Sequence, residues 1–205
     1  AKICGIKDEN TLRFLIDHSY PPEFIGFICN FPKSKRFVEI EKLKYLTNIN
    51  KKNSKFVAVL VNPSEKILEE IKNFNFDFYQ LYDVPADRTK VIKNTYKKKI
   101  ITALTIKEKN DVDKYRDYLS ISDIFLFDGK GYEKSISFQH SFLDDLPNNI
   151  EKMIAGDIKY NDNLDNFKKI ANIIDLSGSL ETGNNKDLKK IDIFLNNLRE
   201  LNAKN

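Results

Sequence analysis

Eight short runs of β-branched and aromatic residues, each followed by a longer amphipathic stretch, predict an α/β chain folded as a small (β/α)8 (TIM) barrel. The runs are apolar throughout, as strands are when helices cover both faces of a parallel sheet. No linker or low-complexity segment interrupts the alternation, so residues 1–205 read as one domain. A doubly wound open sheet shares the alternation. It would carry a glycine-rich phosphate turn after its first strand, and GIKDEN (residues 5–10) does not match GxGxxG. At 205 residues the chain is small for a barrel, so its helices and lower loops must be short.

Strands are expected at residues 2–6, 24–29, 56–61, 76–81, 99–105, 123–127, 152–155 and 173–176. Helices are expected at 10–18, 39–49, 64–74, 85–96, 108–119, 138–146, 161–172 and 187–201. The first strand, KICGIK, carries Cys4 at its centre, and the sixth runs into Asp128 in IFLFDGKG. In the third helix Ile67, Leu68, Ile71 and Phe74 share one face, and Ser64 after Pro63 supplies a start.

Composition narrows the function classes. A chain with 41% hydrophobic and 31% charged residues fits a soluble globular protein. No apolar run approaches the roughly 18 residues of a membrane helix, and no secretory leader precedes the first strand. The expected setting is cytoplasmic, without a membrane partner. Two cysteines allow at most one disulfide. With only His18 and His140 beside Cys4 and Cys29, and no CxxC or HxxxH spacing, a zinc site is poorly supplied. The net charge of +4 is spread over separate lysine pairs and the Lys97, Lys98, Lys99 run. A nucleic-acid footprint needs clustered bases with interleaved aromatics, so a small anionic ligand is expected instead.

In a barrel the chemistry lies at the C-terminal strand ends and the loops after them. Cys4 ends the first strand, and Asp128 ends the sixth, three steps round the ring. Thiolate and carboxyl are a possible base and acid. Yet an isolated strand cysteine is more often a packed small side chain, and an aspartate at a strand end more often a helix cap. Lys7, Arg36 or the environment of a bound substrate is expected to lower the thiol pKa. Phosphates in barrels often sit between the loops after strands seven and eight. Those loops read IAGDIKYND, with Gly156 and Asp157, and DLSGSLETG, with Ser177, Gly178 and Ser179. Glycine and serine there either expose N–H and O–H donors to an anion or merely turn the chain.

Five ordered motifs, KICGIK, GFICNFPKSKR, VAVLVNPS, DFYQL and DLSGSLET, resemble the phosphoribosylanthranilate isomerase family over nearly the whole chain. The resemblance implies a single (β/α)8 barrel that performs an Amadori rearrangement of N-(5-phosphoribosyl)anthranilate without metal or organic cofactor. It places the general base on Cys4, the general acid on Asp128 and the carboxylate-binding arginine on Arg36, where a bidentate guanidinium would suit anthranilate. Cys29 is expected to be structural.

Several positions depart from the family pattern. Its glycine-rich loop after strand six aligns with residues 132–142, which keep Phe138 but lack the glycines. QLHG has become QLYD, with Tyr82 and Asp83; AGGL has become AGDI; SSGVE has become SGSLE. Basic residues of strand five are Thr102 and Thr105 here. Asp157 beside a phosphate costs affinity unless Lys130, Lys134 or Lys159 compensates. Two alternatives stand beside the isomerase: a barrel acting on another aminoaldose phosphate, and a non-catalytic phosphate-binding barrel. The expected partner is a sugar phosphate, with no nucleic acid, and a monomer is preferred to a homodimer because the lysine-rich helices suit solvent.

Overall fold

The computed structural model describes residues 1–129 and 138–203. Within them eight parallel strands close into a barrel in chain order. They are β1 (Lys2–Cys4), β2 (Phe24–Ile28), β3 (Lys55–Val61), β4 (Phe78–Tyr82), β5 (Lys99–Thr105), β6 (Ile124–Asp128), β7 (Lys152–Ile154) and β8 (Ile173–Leu176). The expected barrel is therefore present, and each strand lies within two residues of its expected bounds. No described helix is long and apolar enough to cross a membrane.

Four α-helices cover the first half: α1 (Glu9–Asp17), α2 (Ile40–Thr47), α3 (Glu65–Ile71) and α4 (Ala86–Tyr96). Two of them, α1 and α3, start on a side-chain cap. The Asp8 carboxylate accepts from the Thr11 N–H at 2.8 Å, and Ser64 caps α3 through the Ile67 N–H. A short antiparallel ribbon, β9 (Glu181–Thr182) with β10 (Asn185–Lys186), precedes the closing helix α5 (Leu188–Ala203).

Three expected α-helices are 3-10 instead: Lys109–Tyr118, His140–Leu143 and Leu164–Phe167. Their buried residues give the reason. Val112 and Tyr115, and Leu164 and Phe167, recur every third residue, and a 3-10 turn of three residues stacks such pairs on one face. The 161–172 stretch is also rich in asparagine, and the Asn163 side chain accepts from the Asp165 N–H, competing with α-helical bonding.

Strand alternation divides the core in two. One face packs on the helices through residues such as Ile3, Ile25, Phe56, Leu60 and Tyr79. The other fills the barrel with Phe24, Val57, Phe78, Ile101, Ile124, Met153 and Ile173. Phe24 and Phe78 meet edge-on at 5.3 Å, and Lys55 and Lys99 lie over their outer faces at 5.2 and 5.7 Å.

Into this interior β1 projects a charge. Lys2 and Cys4, two apart, point inward together. Lys2 is fully buried, and its Nζ lies 2.6 Å from Asp175 Oδ2, its register partner on β8. Gly26, opposite Cys4 on β2, makes room: a Cβ there would sit 2.8 Å from the Cys4 sulfur and 3.2 Å from Lys2 Cε. Removing one member of a buried pair leaves the other uncompensated. Lys2→Met is therefore expected to cost about 3–5 kcal/mol in urea unfolding at neutral pH, while Lys2→Met/Asp175→Leu recovers most of it. A single-variant loss under about 1 kcal/mol, the range of an exposed ion pair, would show that the pair does not support the barrel.

Candidate functional site

Where the strands end, a cavity of about 320 Å³ opens at the C-terminal mouth, within the usual range for small-ligand sites. Cys4 lines it from the end of β1 while also packing in the barrel interior. Burial raises its thiol pKa, and the Lys2 ammonium beneath it pulls the other way. Lys2 itself is raised: burial works to lower it, but Asp175 and Cys4 outweigh that.

The expected roles of Lys7 and Arg36 toward this thiol need correcting. Lys7 donates instead to the carbonyls of Asn184, at 3.1 Å, and Lys35. Arg36 is folded over Gly5, whose φ of +78° and missing side chain admit its stem. Its Nε and Nη2 grip the Glu181 carboxylate at 2.5 and 3.0 Å. The bidentate fork expected for a ligand carboxylate is thus already engaged by Glu181.

Glu181 anchors a basic cluster. Lys35 and Lys186 join Arg36 on its carboxylate at 2.9 and 3.0 Å, so three cations surround one anion. Burial works to raise the Glu181 pKa, but these partners bring it down to about 2. Lys186 is buried; desolvation lowers it to about 8 despite Glu181. It also donates to the Ser177 carbonyl at 2.9 Å. The surplus positive charge favours an anion at the mouth.

Across the opening Asp128 ends β6, 5% exposed. Its Oδ2 accepts from the Tyr82 hydroxyl at 3.0 Å, and burial pushes its carboxyl up to about 7 against that bond. Among the described residues Asp128 caps no helix. Asp175 is likewise raised by burial, only partly offset by Lys2 and Lys186.

Among the described residues seven buried side-chain polar atoms lack a hydrogen-bond partner. Four of them, Gln80 Oε1, Asp128 Oδ1, Asp175 Oδ1 and Ser179 Oγ, belong to residues lining this one cavity. Buried polar groups are normally paired, so their concentration here marks where a polar ligand completes the bonding.

The loops after β7 and β8 form the far wall. Gly156 has φ +99° and Asp157 φ +53°. The Asp157 carboxylate is taken by Lys159, which answers the charge expected beside a phosphate. Lys130, Lys134 and residues 132–137 lie outside the described residues. Ser177 donates to the Cys4 carbonyl at 3.0 Å, tying this wall to β1. Thr102 bonds Ser122 on the outer side and takes no part in the site.

All eight residues singled out in the sequence, Cys4, Arg36, Asp128, Gly156, Asp157, Ser177, Gly178 and Ser179, line the cavity. Cys29 does not; its thiol donates to the Phe27 carbonyl at 3.2 Å. Sequence reasoning missed Lys2, Asp175, Glu181 and Lys186, and treated Tyr82 only as a departure. The period of two in KICGIK was the available signal for Lys2; Lys186 had none. No group of three or more His, Cys, Asp or Glu among the described residues is placed to hold a metal ion.

Comparison with known proteins follows the same outline. Residues 1–197 match the family described as N-(5'-phosphoribosyl)anthranilate (PRA) isomerase. The chain is 31% identical over 214 residues to the N-(5'-phosphoribosyl)anthranilate isomerase of Rhizobium rhizogenes (strain K84), covering 97% of this chain and 93% of the relative. In shape it is similar to phosphoribosyl anthranilate isomerase from Thermotoga maritima, with a TM-score of 0.85 and 22% identity over 97% of this chain and 98% of that one. A second solved phosphoribosyl anthranilate isomerase, in complex with reduced 1-(o-carboxyphenylamino)-1-deoxyribulose 5-phosphate, gives a TM-score of 0.83 and 21% identity over 97% of both chains. This chain belongs to the N-(5'-phosphoribosyl)anthranilate isomerase family.

Proposed function

We propose that the protein converts N-(5'-phosphoribosyl)anthranilate into 1-(2-carboxyphenylamino)-1-deoxyribulose 5-phosphate, an aldose–ketose isomerisation of tryptophan biosynthesis. Family membership supports the substrate. The observation that carries the chemistry is the cavity wall: an unpartnered Asp128 oxygen and the Cys4 thiol border the same space as the unpartnered Ser179 hydroxyl.

In this reading Asp128 gives its proton to the ribose ring oxygen as the bond from that oxygen to C1 breaks, leaving a Schiff base. The Cys4 thiolate then takes the proton from C2, the enolamine tautomerises to the amino ketone, and a proton passes from Cys4 back to Asp128 by way of solvent to restore both groups. No proton is gained or lost overall. Lys2 holds positive charge beneath Cys4 and so favours the thiolate that burial disfavours. Arg36, with Lys35 beside it, takes the anthranilate carboxylate through the guanidinium edge that Glu181 leaves open. The phosphate lies against Gly156, Asp157, Ser177, Gly178 and Ser179, with the unpartnered Ser179 hydroxyl as a donor and the Asp157 charge held by Lys159.

The reading extends to a monomeric, cytoplasmic enzyme. Its two cysteines are buried and unpaired, and of its exposed large apolar residues Tyr45 is on α2, Val91 on α4, Leu119 just after the Lys109–Tyr118 segment, and Leu188 and Ile193 on α5.

Disappearance of phosphoribosylanthranilate fluorescence tests the assignment; no turnover by folded wild-type protein would sink it. Cys4→Ser should lower kcat about 10²–10⁴-fold with little change in product binding. Arg36→Ala should mainly raise KM. Near wild-type turnover in Cys4→Ser would remove the thiol from the mechanism.

The order of the two pKa values fixes a pH profile. Asp128 sits at about 7 and Cys4 above its ordinary 9, so below pH 7 both hold protons and at high pH neither does. Between them one proton is shared, and the productive form keeps it on Asp128 with Cys4 ionised. Accordingly kcat/KM should rise through about pH 7 and fall only above the thiol range. A decline beginning near pH 7 would mean that the thiol titrates below Asp128 and would overturn this order.

A further inference from the structure

Tyr82 closes β4, where the family pattern QLHG has histidine and this chain reads QLYD. It points into the cavity and is buried beside Asp128. Its hydroxyl donates to Asp128 Oδ2 at 3.0 Å, whereas Asp128 Oδ1 is buried with no partner among the described residues. The two oxygens are therefore chemically unlike. A neutral carboxyl carries one proton, and the oxygen that already accepts from a phenol is the poorer place for it.

We propose that Tyr82 is the positioning residue of the acid: by capping Oδ2 it assigns the transferable proton of Asp128 to Oδ1, the oxygen open to the ligand. This rests on the isomerase reading above for the use made of that proton, though not for the assignment itself. Tyr82 remains a donor because burial, followed by the charges of Asp128, Asp175 and Cys4, pushes its phenol well above the usual range. Among the described residues, the charged groups that act on Asp128 are Asp175 on β8 and Lys2 on β1, and Cys4 on β1 lines the same cavity. The adjacent positions on β5 and after β7, Thr105 and Ala155, carry no charge. Besides the Gly129 N–H, Tyr82 supplies the hydrogen bond that favours the ionised carboxyl.

The test titrates the Asp128 carboxyl directly, by ¹³C-carboxyl NMR of the free protein, with Asp128→Asn identifying the signal. Tyr82→Phe, of nearly the same shape, should raise the midpoint by about one pH unit, since a hydrogen bond to a charged group is lost. Replacement of Tyr82 by 3-fluorotyrosine, a stronger donor, should lower it. In turnover, Tyr82→Phe should move the limb near pH 7 upward with the titration, cut kcat about tenfold and leave KM within about threefold. A merely structural tyrosine would lower the melting temperature and leave both the midpoint and the limb in place. An unmoved or reversed midpoint in either variant overturns the proposal. Because the titration needs no substrate, its outcome stands apart from whether phosphoribosylanthranilate is turned over. If wild type fails to turn over while the midpoints shift as stated, the isomerase reading fails and the Tyr82 assignment holds.

Discussion

The ion pair between Lys2 and Asp175 sits at the seam where the barrel closes. β8 meets β1 through only two register pairs, Lys2 with Asp175 and Ile3 with Leu176, so the first carries much of the closure. A charge that deep is tolerated because its partner faces it at 2.6 Å. The same lysine lies one pleat below Cys4 and acts on that thiol more strongly than Lys186 does. Closure and the proposed base thus share one side chain.

Charge is graded from floor to rim. Below, one lysine and one carboxylate pair in the buried interior. At mid-height two more ionisable groups, Cys4 and Asp128, are desolvated enough that both are pushed toward their neutral forms. At the rim Arg36, Lys35 and Lys186 outnumber Glu181, and that surplus suits a ligand with two anionic ends. An anion drawn in by the rim displaces water from the middle, where a low dielectric strengthens each remaining contact. Four oxygens in this layer have no hydrogen-bond partner among the described residues.

Much of this was legible in the sequence because parallel strands in a covered barrel must be apolar, and apolar runs are easy to see. Cys4 and Asp128 stood out as polar ends to such runs, and the glycine and serine loops fell where phosphates sit in barrels. What stayed hidden has two physical sources. The 3-10 segments after β5, β6 and β7 read as α-helices because a spacing of three residues is close to 3.6 over so few turns, as Val112 and Tyr115 show. Glu181 and Lys186 were hidden because their role is mutual: each is ordinary alone, and only the β9–β10 ribbon brings the lysine back onto the carboxylate at 3.0 Å. Arg36 was read as a free fork for the same reason.

The departures from the family pattern that looked most hostile to a site prove conservative in backbone terms. Asp83 and Asp157 stand where the pattern has glycine, and both adopt left-handed φ, +54° and +53°. Glycine takes that region freely, and aspartate is among the few other residues that visit it without heavy cost. The turns that follow β4 and β7 therefore keep a shape a glycine would hold, although the side chain has changed. At position 157 the new carboxylate bonds Lys159, so a charge of the wrong sign is balanced at the cavity wall. At position 83 the turn leaves Tyr82 pointing inward, where its hydroxyl reaches Asp128. Preserving the backbone and neutralising the added charge are what let these positions drift while Cys4, Arg36 and Asp128 still face one space.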